Sequence, residues 1–199
     1  MRGAALLVLL AACPHPRSAS MDTQQALSLL GSPDTWCRGA DQLAKTGDVA
    51  MIVPILRAYE SREETGKVCL LDAMDALGAK EASHALFDGP GADDRRMAAH
   101  LMGLFADDSH LPYLEQAAVA SDDALRRQGI RSIATQVQTD AWEASMIRLL
   151  SAEPTDTRAQ AITSLSRRRT DTAYAALAAR MDVEPDPELK RRIAAVVAP

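Results

Sequence analysis

A chain of 199 residues is long enough for one ordinary domain or for an array of about six small units. It is 47% hydrophobic but only 4% aromatic, so its apolar content is mostly Ala, Leu, Ile, Val and Met, a balance that favours helices and leaves no strand-type runs of β-branched and aromatic residues. Net charge is −5 with a pI near 5.4, and basic residues trail acidic ones in both halves (10 against 13 in residues 1–99, 12 against 14 in 100–199), which excludes a module built to track a phosphate backbone.

In chain order, the first feature is Arg2 followed by the apolar run Ala4 to Ala12. The run is far short of the roughly 20 residues a helix needs to cross a bilayer, and has the size of a signal-peptide hydrophobic region. Leu10-Ala11-Ala12-Cys13 resembles the lipobox of bacterial lipoproteins. That resemblance implies a signal peptide over 1–12 and a lipidated Cys13 as first residue of the mature chain, since two or more acyl chains anchor stably where one does not. Residues 14–20, Pro-His-Pro-Arg-Ser-Ala-Ser, read as a tether, so 13–21 is assigned to anchor and linker and 22–199 to the folded region. Pro14, not Asp, follows Cys13, which by the enteric sorting rule implies the periplasmic face of the outer membrane.

The remainder is periodic. An anchor residue with apolar or small residues at +3, +4 and +7 recurs at Trp36, Lys67, Arg95, Arg126, Arg158 and Lys190, which is 154 residues in five steps, or 30.8 per step. The offsets mark one face of a helix. Each anchor has an acid two or three positions upstream (Asp34, Glu64, Asp93, Asp123, Asp156, Glu188), suited to a helix N-terminus. Second-helix starts recur in the same rhythm at Asp48, Lys80, Ser109, Asp140 and Asp171. Gly47, Gly78 and Asp107-Asp108 mark turns inside units; Gly31-Ser32-Pro33, Gly89-Pro90-Gly91, Ser121-Asp122, Glu153-Pro154 and Glu184-Pro185 mark breaks between them.

This pattern resembles the short HEAT-like repeats of bacterial proteins, including those named for phycobilisome lyases, over roughly residues 32–198. The resemblance implies an all-α fold, an α-solenoid of about five to six stacked antiparallel helix pairs, with residues 22–30 as an N-terminal capping helix. It is specific for fold and says nothing of activity. Trp36 departs from the pattern by standing where a basic residue belongs, and the sixth unit lacks a second helix, as terminal caps do.

Few residues suggest chemistry. His15, His84, His100 and His110 show no metal-site spacing, and no phosphate loop or nucleophile elbow occurs, so no catalytic residue, metal or cofactor is expected. Cys37 and Cys69 fall just after the anchors of consecutive first helices; they are either bridged in an oxidising compartment or two small buried thiols. Tyr113, Trp142 and Tyr174 come early in successive second helices, which in HEAT-like arrays line the concave surface; with Arg148 and Arg180 they form either a partner-binding ladder or packing between repeats. Arg167-Arg168-Arg169 ends a first helix, where cations favour the dipole; a solvated helix end is the default reading, and a contact to an acidic partner the alternative.

The expectation is therefore a non-catalytic scaffold of the bacterial envelope that binds a protein partner and reaches the membrane through its lipid anchor, with no nucleic acid and no small-molecule substrate. An enzyme or enzyme subunit of the HEAT-like lyase type, and a purely structural lipoprotein, are the alternatives.

Overall fold

The computed structural model describes residues 22–61 and 67–198; Cys13, His15 and the rest of the leader and tether lie outside them. Among the described residues every regular element is a helix, and no helix is long and apolar enough to cross a membrane. α1 (Thr23–Leu29) precedes the pairs. First helices are α2 (Trp36–Ala44), α4 (Lys67–Ala76), α6 (Ala92–Leu104), α8 (Asp123–Ala134), α10 (Thr155–Arg168) and α12 (Pro187–Val197). Second helices are α3 (Ile52–Glu60), α5 (Ala79–Phe87), α7 (Leu111–Ala118), α9 (Asp140–Leu149) and α11 (Asp171–Val183). Single 3₁₀ turns, Val49–Met51 and Asp108–His110, lead into α3 and α7.

Helix starts follow local side-chain chemistry. Asp22, Asp122, Thr139, Thr170 and Asp186 each accept a backbone N–H of the first turn of α1, α8, α9, α11 and α12. Two expected acids are displaced by one or two places: Asp122 rather than Asp123 caps α8, and Asp186 rather than Glu188 caps α12, which frees Asp123 and Glu188 to hold arginines one turn on. Gly47 and Gly78 close the turns after α2 and α4 with φ of 67° and 75°, values that a side chain resists.

The +3, +4, +7 residues face inward as their spacing requires. Gly39, Ala40 and Leu43, then Ala98, Ala99 and Met102, then Ala161, Ile162 and Leu165 are all buried. Gly129 lets α8 lie against α7, since a Cβ there would sit 2.6 Å from the Ala118 nitrogen. Packing follows chain order: α2 against α4, α6 against α8, α8 against α10 and α10 against α12 on one side, α7 against α9 and α9 against α11 on the other. The apolar residues fall into two clusters. One runs from α1 to α5 and takes in Met97 and Leu101 of α6; the other runs from Phe87 to Ile193; Leu86 packs against both.

The anchor arginines tie this array together. Arg158 donates to the carbonyls of Ala152 (2.9 Å) and Glu153 (2.6 Å) in the preceding loop and to the Glu184 carboxylate of the following unit. Arg126 repeats the arrangement with the Ala120 carbonyl (3.2 Å) and Asp156 (3.1 Å). Each guanidinium satisfies loop carbonyls that no helix reaches and clamps one unit to the next.

Cys37 and Cys69 are joined. The disulfide links α2 to α4, with Cα atoms 5.4 Å apart and a sequence separation of 32. Helices in contact along their sides have axes about 8–10 Å apart, and residues on the facing edges come closer than the axes do.

Candidate functional site

The five residues expected to form a ladder do not share a surface. Trp142 is a core residue: it is 1% exposed and its indole N–H donates to the Ile133 carbonyl at 2.8 Å. The physical reason is that its large ring gains most by filling space between helices once its one polar atom has a partner. Tyr113 is half-buried, stacked on His84 with centroids 4.5 Å apart and edge-on to Phe87 at 5.5 Å. Arg148 holds Glu115 with two bonds (3.0 and 2.6 Å) and Ser145 at 3.0 Å, which fixes α9 to α7. Arg180 donates to Glu184 at 2.7 Å and so belongs to the clamp around Arg158. Only Tyr174 keeps an exposed ring.

The surface that does stand out is an apolar groove between α3 and α5, with a volume of about 650 Å³. α7 packs against α9 and α9 against α11, whereas α3 and α5 make no comparable contact, and the groove lies between them. Ile52, Leu77 and Leu101 form a floor that is nearly inaccessible; Val49, Ala82, Ala85 and Leu86 form the walls. Val49 is 58% exposed at the groove mouth. Glu81 is the one charged residue in the lining. A groove of this kind offers dehydration of apolar groups beside one carboxylate, that of Glu81.

Two histidine contacts were hidden in the sequence. His84 Nε2 lies 2.9 Å from His110 Nδ1, and His110 is wholly buried with its Nε2 lacking a well-formed hydrogen bond. Burial, then the neighbouring His84, push the His110 imidazole below its ordinary value; Asp107 and the Phe105 backbone oppose this weakly. The residues are 26 positions apart, a little under one repeat, and that near-period was the available signal. His100 bonds Glu60 across 2.7 Å, at a separation of 40 that no repeat spacing suggests. Beside the His84–His110 pair, Lys80 and Asp107 join α5 to the turn before α7, and the Lys80 ammonium holds the Asp107 carboxyl well below the usual carboxylate range. No cluster of three or more His, Cys, Asp or Glu side chains able to hold a metal occurs among the described residues.

No family model matches the chain, and no curated protein matches it. Among solved structures it is similar to a crystal structure of an engineered protein from the Northeast Structural Genomics Consortium, at 14% identity over 88% of this chain and 95% of that one. The TM-score of 0.45 makes this a loose likeness of helical architecture, too distant to carry any inference about what this chain does.

Proposed function

We propose that this protein is a non-catalytic binding scaffold of HEAT-like helix pairs, lipid-anchored at Cys13 in the bacterial envelope, that docks a helical segment of a partner protein in the groove between α3 and α5. The groove carries the reading. Its walls are aliphatic, formed by the start of α3 with the turn before it and by one face of α5, and its room suits the apolar stripe of an amphipathic helix. Glu81 at its edge favours a stripe flanked by Lys or Arg. The disulfide supports an oxidising compartment, as export through the leader requires, because such bonds persist outside the cytosol. Helical repeat arrays present extended surfaces rather than deep reaction pockets, which favours recognition over catalysis.

The test places a photo-crosslinking side chain at Val49 or Ala85, both exposed in the groove, and a control at Val183 on α11. Irradiation in the native envelope should give a protein adduct from the groove positions alone. The cross-linked peptide should show apolar residues at helical spacing with a basic neighbour, and Ala85→Glu should abolish the adduct. Adducts to lipid only, or equal yields from Val183, would refute the reading.

A further inference from the structure

The turn after α10 closes at Arg169 with φ 58°, the one non-glycine residue in the left-handed region among the described residues. At the corresponding turns of the first two helix pairs the positive-φ residue is Gly47 or Gly78. An L side chain at such a position costs backbone energy that glycine avoids, and no internal contact offsets it here. The exposed guanidinium of Arg169 makes no hydrogen bond or ion pair with any described residue, and neither does that of Arg167, while Arg168 between them is held by Glu143 at 3.0 Å and Asp140 at 3.3 Å. Asp171, the nearest acid in sequence, pairs with neither. Arg167 and Arg169 line a cavity of about 630 Å³ with Ser166, Tyr174, Ala195 and Val196, between the α10–α11 turn and the last turns of α12.

We propose that this cavity binds an acidic peptide segment of a partner protein, with carboxylates on Arg167 and Arg169 and an adjoining apolar side chain against Tyr174 and Val196. Two full positive charges outweigh the roughly half negative charge that the C-terminus of α10 presents. The hydroxyl of Tyr174 adds a donor beside them, while that of Ser166 is engaged by the Thr163 carbonyl at 2.8 Å and leaves its lone pairs to accept. The cavity has room for several side chains, far more than a single tetrahedral anion needs, and its Ala195–Val196 side suits a peptide rather than an isolated ion. The inference rests on the protein-binding reading of the chain, but on a different surface from the groove.

The experiment measures fluorescence anisotropy of a fluorescein-labelled Glu-Glu-Leu repeat peptide with the full chain at low salt. Arg167→Ala and Arg169→Gly should each weaken binding about tenfold, and added salt should weaken it further. Arg169→Gly relieves the backbone, so its melting temperature should not fall, which separates lost contact from lost fold. Ala85→Glu, which disables the groove, should leave peptide affinity unchanged, so the two surfaces fail or stand separately. Unchanged affinity in Arg169→Gly would overturn the proposal. So would displacement of the peptide by inorganic phosphate or by phosphatidylglycerol vesicles at equal anion concentration.

Discussion

Removing the Cys37–Cys69 bond should cost the oxidised protein about 4 kcal/mol. The bond closes a loop of 32 residues. The chain-entropy relation gives a loss near 12 cal/mol/K for such a loop, or about 3.7 kcal/mol at 25 °C. Cys37 is exposed and Cys69 only half-buried, so replacing both by Ala removes little packing and leaves the entropic effect nearly isolated. In urea, with a slope of about 2 kcal/mol/M, the midpoint should fall by roughly 2 M. The bond staples α2 to α4 inside the N-terminal apolar cluster, so the destabilisation should be concentrated there. The apolar residues form two clusters, with the bond beside the first, and hydrogen exchange should therefore quicken in α2 to α4 before α9 to α11. The comparison is between oxidised wild type and Cys37→Ala/Cys69→Ala, with reduced wild type matching the double variant. A midpoint change under about 0.5 M, or two free thiols by mass spectrometry of the oxidised protein, would refute the reasoning.

Three further outcomes follow from buried polar groups. Glu184→Gln should cost about 3 kcal/mol, because it leaves Arg158 and Arg180 facing each other without their carboxylate; burial raises the Glu184 carboxyl, but the Asp186 N–H and then the two guanidinium groups more than reverse this and hold it below its usual range. That stabilisation is complete above the unfolded carboxylate value of about 4.3 and disappears as pH falls through the lower folded value, so acid melts of Glu184→Gln should be flatter there than wild type. Trp142→Phe should lose about 2 kcal/mol by chemical denaturation, since it removes the indole bond, leaves the Ile133 carbonyl with the long Gln136 N–H bond at 3.4 Å and opens a void beside it, yet it should not change cross-linking yield from Val49. Burial and then His84 push the His110 imidazole below its ordinary value, so the unfolded chain takes up its proton first; stability should decline as pH drops below about 6.5, and His110→Phe should flatten that slope in thermal melts between pH 7 and 5.

The helix pairs were legible because their cause is local. A +3, +4, +7 stripe and a 30.8-residue rhythm state where helices begin and which side is apolar, and α2, α4, α10 and α12 start within three residues of their anchors. What the anchors do was not legible. Arg126 and Arg158 look like solvated cations in sequence, and only the return of the preceding loop brings the carbonyls of Ala120 and Ala152 to them. The ladder failed for a related reason. An aromatic early in a second helix can point out or in, and for Trp142 a carbonyl nine residues upstream in the chain, on Ile133, decided it. The groove left no trace in the sequence, because it depends on how far α3 and α5 spread and not on any residue pattern. Arg169 stood in view as one of three arginines, but its left-handed backbone, which sets it apart from Arg167 and Arg168, is a property of the folded turn.

The most direct test of the account is hydrogen–deuterium exchange of the chain alone and in complex with the partner recovered by cross-linking. Protection should appear over Val49–Val53 and Gly78–Leu86, the two walls of the groove, and leave α9 unchanged. Protection confined to the opposite helices α2, α4 and α8, or none anywhere, would contradict it.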